Sequence, residues 1–241
     1  MKASFEIFRY RPGEKERFDI FQIELSSHAT VLDALKLIQE TVDPSLIYRH
    51  SCHHGSCGTC SCIINGVERL ACLTKVTELS EDVVRVEPLR RMPGIGDIAV
   101  DPSPLFLEID PRWSYLRQSE ISRLSAVKAG SVQSHDPNAD HVSARHISLE
   151  RVRFESCIEC GSCVSACPVG EDFMGPAVLA LLNRERIKRP EQAPILLKRA
   201  GGNTGVSRCE RALNCSRVCP TGVNPARHIM DLRRALGRNT K

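Results

Sequence analysis

The chain has 241 residues, of which 41% are hydrophobic and 26% are charged, a composition that is usual for globular proteins and excludes a disordered chain. Its 33 Lys and Arg outnumber its 29 Asp and Glu, for a formal net charge of +4, and this length suits two domains of ordinary size. No run of about 18 apolar residues predicts a membrane-spanning helix. The basic residues concentrate in 182–241, but no aromatic residues are interleaved with them for base stacking, so we expect no nucleic-acid partner.

Two β-strands joined by a turn are predicted at the start of the chain. Alternating apolar residues favour strands over 4–10 and 18–25, and Arg11-Pro12-Gly13-Glu14 between them is typical of a turn. The apolar residues of the second strand are Phe18, Ile20, Ile23 and Leu25. Their alternation slips once, which predicts a β-bulge.

A helix and a hairpin follow. Thr30 and Asp33 resemble a capping box, with Asp in place of the usual Glu. The apolar stripe of the predicted helix consists of Val31, Leu32, Leu35 and Ile38. Asn65-Gly66 is a strong hairpin signal. Strands are predicted over 62–64, 67–72 and Val83–Glu87.

The loop before this hairpin carries a cluster-binding motif. Cys52, Cys57 and Cys60 have the plant-type ferredoxin spacing C-x4-C-x2-C, and Cys72 follows at a distance. This pattern predicts a [2Fe–2S] cluster bound by the four cysteines. Cys62 is surplus, and we interpret it as a small buried apolar residue.

Other residues of this loop have expected roles as well. Gly55 and Gly58 should allow the backbone to approach the cluster closely. His53 and His54 could suggest a Rieske centre, in which two His bind one iron. Because four cysteines already supply the ligands, we interpret both histidines as solvated loop residues.

A linker and a helical half are predicted next. Residues 88–104 are rich in Pro and Gly, which indicates a linker or a connection that runs along the surface. A weak helix pair is predicted over 105–117, and residues 118–150 are polar, with histidines interpreted as loop residues. Helices are predicted over 177–184 and 194–199. Asn224-Pro225 is typical of an N-cap and first turn of a last helix.

Two bacterial-ferredoxin runs lie in this half. The complete run C-x2-C-x2-C-x3-C-P is formed by Cys157, Cys160, Cys163, Cys167 and Pro168. The second run repeats the frame with Cys209, Cys215, Cys219 and Pro220. Ala212 stands where its second cysteine would be.

The missing cysteine predicts the cluster types. In two-cluster ferredoxins the fourth cysteine of each run binds the other cluster. Cys219 should therefore complete a [4Fe–4S] site with the first three cysteines of the complete run. Cys167 should join Cys209 and Cys215, and three thiolates suit a [3Fe–4S] cluster. The alternative is an oxygen ligand, from Glu210 or Asn214, that holds a fourth iron.

Zinc and disulfides are alternative uses of so many cysteines. A zinc site, as in a zinc-stabilised interaction module, would show two separated pairs rather than runs of three and four. Disulfide frameworks suit short secreted chains, and no secretory signal precedes the first strand. We therefore expect thiolates in a reducing compartment, which is the cytoplasm or, through partner subunits, the cytoplasmic face of a membrane.

The combined motifs resemble the iron–sulfur subunit family of succinate dehydrogenase and fumarate reductase. The resemblance rests on the cysteine frames, on Gly96-Asp97-Ile98-Ala99-Val100-Asp101 and on Gly175-Pro176-Ala177. It implies an α+β chain, with a β-grasp plant-type ferredoxin domain over 1–98. An α-helical ferredoxin domain with two clusters is implied over 105–241. The family assigns the three clusters the same cysteine ligands as the spacing does.

The resemblance also implies a role. Such a subunit has no catalytic residues and passes electrons between a flavoprotein subunit with FAD and quinone or another acceptor. The implied order is flavin, [2Fe–2S], [4Fe–4S], [3Fe–4S] and acceptor, and a membrane-anchor subunit is a further implied partner. The alternative is the same series of clusters serving a flavoenzyme with a different substrate, or a thiol or disulfide partner.

Two departures from the family concern the acceptor end. Quinone-using members usually carry a tryptophan shortly after the first Cys-Pro, where this chain has Val169-Gly170-Glu171-Asp172-Phe173-Met174. Those members often have His after the first cysteine of the second run, where Glu210 stands. The acceptor therefore stays open between a different quinone, a membrane anchor of another type, and a thiol or protein partner.

Overall fold

The computed structural model describes residues 1–109, 156–170 and 172–238. Residues 110–117 of the predicted helix pair and the polar segment 118–150 lie outside these ranges. The strands of the first part are β1 (Lys2–Arg9), β2 (Arg17–Glu24), β3 (Ser61–Ile64), β4 (Val67–Leu70) and β5 (Val83–Glu87). They form one sheet in the order β2-β1-β5-β3-β4, in which β1 and β5 are parallel and the other pairs antiparallel.

Helix α1 (Val31–Thr41) shares one core with this sheet. Its predicted capping box is confirmed, since Thr30 N donates to Asp33 Oδ2 at 2.9 Å and Asp33 N donates to Thr30 Oγ1 at 3.2 Å. The central side chains of the core are Phe5, Ile7, Leu32, Leu35, Ile38, Ile64, Val84 and Val86. Asn65 and Gly66 both have positive φ, as the predicted tight hairpin between β3 and β4 requires.

The predicted bulge in β2 is wrong. β2 pairs with β1 through eight consecutive residues without a shift of register. The alternation slips because apolar residues occupy both faces of this strand. Phe18 packs edge-on against Phe8 at 5.4 Å and lies under the guanidinium of Arg85 at 3.8 Å, while Ile20 is 68% exposed.

The segment after the sheet follows the surface of the first part. It forms a small hairpin of β6 (Gly94–Gly96) and β7 (Ala99–Val100) and then the short helix α2 (Ser103–Glu108). Between the two strands, the buried carboxylate of Asp97 accepts hydrogen bonds from Arg9 Nε at 3.1 Å and Ile47 N at 2.7 Å. This segment, residues 94–100, is therefore an ordered strap tied to the sheet.

The second part is helical and has its own core. Its helices are α3 (Ser162–Ser165), α4 (Gly175–Lys188), α5 (Ala193–Ala200), α6 (Asn214–Arg217) and α7 (Pro225–Arg238). The predicted helices at 177–184, at 194–199 and after Pro225 are thereby confirmed. Helix α4 is buried on all sides from Gly175 to Glu185, so it is the central helix around which the others pack.

The start of α7 differs from the predicted N-cap. Asn224 has φ +59°, and its side-chain oxygen accepts a hydrogen bond from Ser216 Oγ at 2.7 Å. Ser216 Oγ in turn accepts a hydrogen bond from Ala226 N at 3.0 Å. The hydroxyl of Ser216 in α6 therefore satisfies a backbone N–H at the start of α7, and Asn224 holds that hydroxyl in place by accepting its hydrogen bond.

The two parts meet along a close polar seam, formed by Gly58, Ser61, Glu68 and Arg90 on one side and Cys160, Ser162 and Ser165 on the other. Ser61 Oγ and Ser162 Oγ lie 2.7 Å apart, and Ser165 Oγ donates to Glu68 Oε1 at 2.8 Å. Both pairs are buried. The backbone of Gly58 lies so close to Cys160 that a Cβ at position 58 would be 2.6 Å from Cys160 Cβ.

We predict that Gly58→Ala destabilises the protein more than Gly66→Ala does. Both glycines have positive φ, at +70° and +77°, where a Cβ costs about 1–2 kcal/mol. At Gly66 no atom lies within 4 Å of the added Cβ, whereas at Gly58 it meets the Cys160 backbone at 2.9 Å. The thermal unfolding midpoints of the holoprotein variants measure the difference.

The expected difference between the thermal midpoints of the two variants follows from the clash at Gly58. Overpacking costs about 1–3 kcal/mol beyond the conformational term, and 1 kcal/mol shifts the midpoint by about 2–4 °C in a protein of this size. Equal midpoints for the two variants would contradict a tight contact between Gly58 and Cys160.

Candidate iron–sulfur sites

The β3–β4 hairpin positions two of the four cysteines expected to bind [2Fe–2S]. Cys60 directly precedes β3 and Cys72 follows β4, so the two lie at the open end of the hairpin. Ala71 N donates to Cys60 O at 3.2 Å, which extends the ladder to these residues. Both thiols are buried, and burial raises the pKa of Cys60 to about 12.

The other two cysteines, Cys52 and Cys57, lie in the loop before β3. Backbone N–H groups point at the first sulfur, because Ser56 N and Cys57 N lie 3.3 Å and 3.4 Å from Cys52 Sγ. Burial raises the pKa of Cys52, but hydrogen bonds from Ser56 and from backbone groups of the loop outweigh it and lower the pKa to about 5. The loop therefore stabilises an anionic sulfur before any iron is bound.

Three further side chains of this region, those of Cys62, His53 and His54, lie in the environments predicted for them. Cys62 is 3% exposed and belongs to the core of the first part, and burial raises its pKa. It is a neutral buried thiol, as predicted. His53 and His54 are exposed, with His53 Nε2 3.0 Å from His50 Nδ1 and His54 Nε2 2.9 Å from Ser56 Oγ.

The cysteines expected to bind [4Fe–4S] share one cavity in the helical part. Its cysteine lining consists of Cys157, Cys160, Cys163 and Cys219. Apolar walls come from Leu105, Ile109, Ala177, Ala180 and Val223. Burial raises the pKa of Cys157 to about 12 and raises that of Cys163 strongly, with a further contribution from the neighbouring thiols. Burial therefore favours the neutral thiol at Cys157 and Cys163.

The cysteines expected to bind [3Fe–4S] line a second cavity. Cys167, Cys209 and Cys215 lie there together, and burial raises the pKa of Cys215 to about 11. Ala212 lines the same cavity at the position of the missing cysteine and supplies only a methyl group. The three thiols and the methyl group thus surround one space.

Two possible oxygen ligands lie near this cavity. Asn214 Nδ2 donates to Ala166 O at 3.2 Å, and Asn214 Oδ1 accepts from Arg217 Nη1 at 3.4 Å, so its amide already has partners on both sides. Glu210 is exposed beside Cys209. Asn214 therefore fits the structure as a support of the loop rather than as a ligand of a fourth iron.

The three groups of cysteines form a row. Cys57, Gly58 and Cys60 line a cavity together with Glu159 and Cys160, which connects the loop with the second group. Cys163 of the second group lies in α3, and Cys167 of the third group stands two residues after the end of the same helix, which connects the second group with the third. The order along the row is the order of the motifs in the sequence.

The donor set fits iron–sulfur clusters better than a single ion. Within residues 1–109, 156–170 and 172–238, no three His, Cys, Asp or Glu side chains converge closely enough for one metal ion. Around one zinc ion all sulfurs lie about 2.3 Å from a common centre. In [4Fe–4S] and [3Fe–4S] clusters each thiolate binds a different iron, and in [2Fe–2S] two thiolates bind each iron, so the ligands of a cluster do not converge on one point.

The seam contains functional candidates that sequence reasoning missed. Ser162 Oγ lies 3.4 Å from Cys160 Sγ and bridges to Ser61 of the other part. Ser162 and Ser61 each stand beside a predicted ligand in the sequence, which is the only signal that could have drawn attention to them. Their contact spans 101 residues and depends on the docking of the two parts.

Family models match both parts of the chain. The 2Fe-2S iron-sulfur cluster binding domain matches residues 4–107, and the 4Fe-4S dicluster domain matches residues 153–223. The first match thus runs through the strap and α2, beyond the predicted boundary at residue 98. Among the helices of the described residues, none is long and apolar enough to cross a membrane.

Curated relatives are similar over nearly the whole chain. The fumarate reductase iron-sulfur subunit of Mycobacterium tuberculosis is 33% identical over 230 residues, which cover 92% of this chain and 87% of that protein. The fumarate reductase iron-sulfur subunit of Haemophilus influenzae is 30% identical over 231 residues, which cover 93% and 89%.

A solved structure shares the fold. A chain of the Mycobacterium smegmatis Sdh1 complex in the apo form matches with a TM-score of 0.73 and 24% identity, over 99% of this chain and 96% of that chain. The expected α+β architecture, a [2Fe–2S] ferredoxin domain followed by a helical [4Fe–4S] domain, is thereby confirmed. Because sequence similarity and fold agree across both domains, the chain belongs to the succinate dehydrogenase/fumarate reductase iron–sulfur subunit family, the electron-transfer subunits of these oxidoreductases.

Proposed function

We propose that this chain conducts electrons between a flavoprotein subunit that carries FAD and an acceptor, with succinate and fumarate as the substrate pair of the flavin. Each cluster, when bound, takes up or releases one electron at a time. The proposed ligands of [2Fe–2S] are Cys52, Cys57, Cys60 and Cys72. Those of [4Fe–4S] are Cys157, Cys160, Cys163 and Cys219, and those of [3Fe–4S] are Cys167, Cys209 and Cys215.

The observation that carries this proposal is the row of three cysteine groups. Gly58 touches Cys160 between the first and second groups, and α3 carries Cys163 of the second group with Cys167 of the third group just after it. Electrons that enter at one end can therefore reach the other without leaving the protein. A chain that used its cysteines only for stability would not need three adjoining sites.

The two ends of the row differ in what surrounds them. At the first end His53, His54 and Ser56 of the Cys52–Cys60 loop are exposed, and we infer that the flavoprotein docks there. At the other end, Arg211 and Leu213 are exposed beside Ala212. We infer that the acceptor is reached at this face, in a membrane-anchor subunit with a quinone or in another protein partner.

The side chains at the acceptor end support a modified acceptor site. Phe173 lines the cavity of Cys167, Cys209 and Cys215, on the segment where quinone-using members of the family usually carry a tryptophan. Glu210 and Arg211 add opposite charges at the same cavity. A quinone site is mostly apolar with few placed polar groups, so we infer that a partner subunit supplies most of the apolar contacts to any quinone.

We predict that Cys52→Ser in the purified complex strongly slows electron transfer through this subunit, whereas Cys62→Ala does not. Succinate-linked reduction of a dye that takes electrons from the iron–sulfur subunit should fall by about 100-fold in Cys52→Ser, the upper end of losses seen when support of a metal site is removed. Cys62 is the matched control, since it is a cysteine of the same region that lies in the core.

Iron and acid-labile sulfide are measured on the same samples. Full dye reduction in Cys52→Ser would overturn the proposed conduction path, and loss of cluster iron in Cys62→Ala would overturn the proposed ligand set. If the wild-type complex reduced the dye with another substrate but not with succinate, the proposed conduction path would stand and the proposed substrate pair would be wrong.

We predict that Ala212→Cys converts the third cluster to [4Fe–4S]. The added thiolate would stand at the ligand position that Ala212 leaves without a donor atom. An air-oxidised [3Fe–4S] cluster is paramagnetic and an oxidised [4Fe–4S] cluster is not, so the low-temperature electron paramagnetic resonance signal of the oxidised complex should disappear.

Leu213→Cys is the matched control, because it adds a thiol one residue outside the ligand frame. Its oxidised signal should remain at wild-type intensity. A wild-type complex without an oxidised signal would instead show that an oxygen ligand already holds a fourth iron. Loss of the signal in both variants alike would argue against the assigned frame.

A further inference from the structure

The buried hydroxyl of Ser162 connects a predicted cluster ligand with the other domain. Ser162 begins α3 and is 1% exposed. Its Oγ lies 3.4 Å from Cys160 Sγ and 2.7 Å from Ser61 Oγ. Ser61 directly follows Cys60 and is itself buried. The hydroxyls of Ser61 and Ser162 thus connect the residue after Cys60, a proposed [2Fe–2S] ligand, with the sulfur of Cys160, a proposed [4Fe–4S] ligand.

Coordination determines the direction of these hydrogen bonds. A cysteine that binds iron has no proton, so Cys160 Sγ can only accept. Ser162 has one hydroxyl proton, and donating it to sulfur leaves its oxygen as an acceptor for the hydroxyl of Ser61. The direction is then Ser61 to Ser162 to Cys160, and each bond in such a chain strengthens the next.

We propose that Ser162 tunes the [4Fe–4S] cluster by donating a hydrogen bond to the sulfur of Cys160, with Ser61 as its supporting donor. This inference rests on the proposed role of Cys160 as a ligand. Reduction adds negative charge that is shared by the thiolates, and a donor to sulfur stabilises the reduced form and raises the reduction potential. In this buried place, water cannot replace the lost donor as easily as at the surface.

Ser165 offers a matched comparison within the same helix. Its Oγ accepts from Arg90 N at 2.9 Å and donates to Glu68 Oε1 at 2.8 Å. Like Ser162 it is buried and bridges the two domains. Its hydroxyl proton is used by a carboxylate rather than by a ligand sulfur, so Ser165→Ala weakens the seam and leaves the donor to Cys160 in place.

The test is a redox titration of the intact purified complex, in which electron paramagnetic resonance follows the reduced [4Fe–4S] signal. Ser162→Ala should lower the midpoint potential of this cluster with its iron content unchanged. We expect about a tenfold lower ratio of reduced to oxidised cluster at a fixed ambient potential, equivalent to 59 mV for a one-electron couple. Ser162→Thr keeps the hydroxyl and should restore the wild-type potential.

The variants separate tuning from a structural role. Ser61→Ala should lower the potential by a smaller amount, and it serves as the test if Ser162→Ala does not assemble its cluster. Ser165→Ala should lower the thermal midpoint without shifting the potential. An unshifted potential in Ser162→Ala, or in Ser61→Ala where that variant is the test, overturns the proposal, as does an equal shift in Ser165→Ala.

Failure of the underlying ligand assignment would look different. If Cys160→Ser left the reduced [4Fe–4S] signal and its potential unchanged, then Cys160 would not be a ligand and the proposed path would need revision. If that substitution altered or removed the signal while Ser162→Ala left the potential unshifted, the path would stand and the tuning role of Ser162 would be refuted.

Discussion

Crowding of cysteine sulfurs is the constraint on which the rest of the structure depends. Three or four thiols line each site, and in the helical domain burial raises the pKa of Cys157, Cys160, Cys163, Cys167 and Cys215, with neighbouring thiols adding to the effect at Cys163. Thiolates gathered in this way repel one another unless iron compensates their charge. Binding of the clusters must therefore contribute to the free energy of folding of this domain, which explains how a cavity lined by thiols can lie beside its central helix.

The two domains meet this constraint in different ways. In the first, backbone N–H groups of the loop stabilise an anionic sulfur at Cys52 even without iron, and the loop stays partly open to solvent. In the second, apolar walls surround the thiols, and single donors point at individual sulfurs, such as Val223 N at 3.3 Å from Cys219 Sγ. In such apolar surroundings a hydrogen bond to a ligand sulfur influences the cluster that the sulfur would hold.

Local signals in the sequence predicted most of the fold, and long-range contacts account for what they missed. The capping box at Thr30 and the Asn65-Gly66 hairpin involve neighbouring residues, and both are present. The bulge in β2 was wrong because Phe18 packs on the outer face of the sheet, which alternation alone does not reveal. The cysteine frames predicted which cysteines share a cavity in the helical domain, while the seam between Ser61 and Ser162 arises only when the domains dock. The ligand of each individual iron stays a prediction.

The seam also limits how the distance between the first two clusters can vary. Gly58 meets Cys160 through backbone atoms, and the strap is tied to the sheet through the buried carboxylate of Asp97. Val100 at its end packs with Ile63 and Leu89 in a small core of its own. Since these contacts keep the separation constant, a change in the rate of electron transfer between the two clusters must come from their potentials. Hydrogen bonds to sulfur change the potential of a cluster without moving the backbone. A donor at the seam can therefore alter this potential while the distance between the clusters stays fixed.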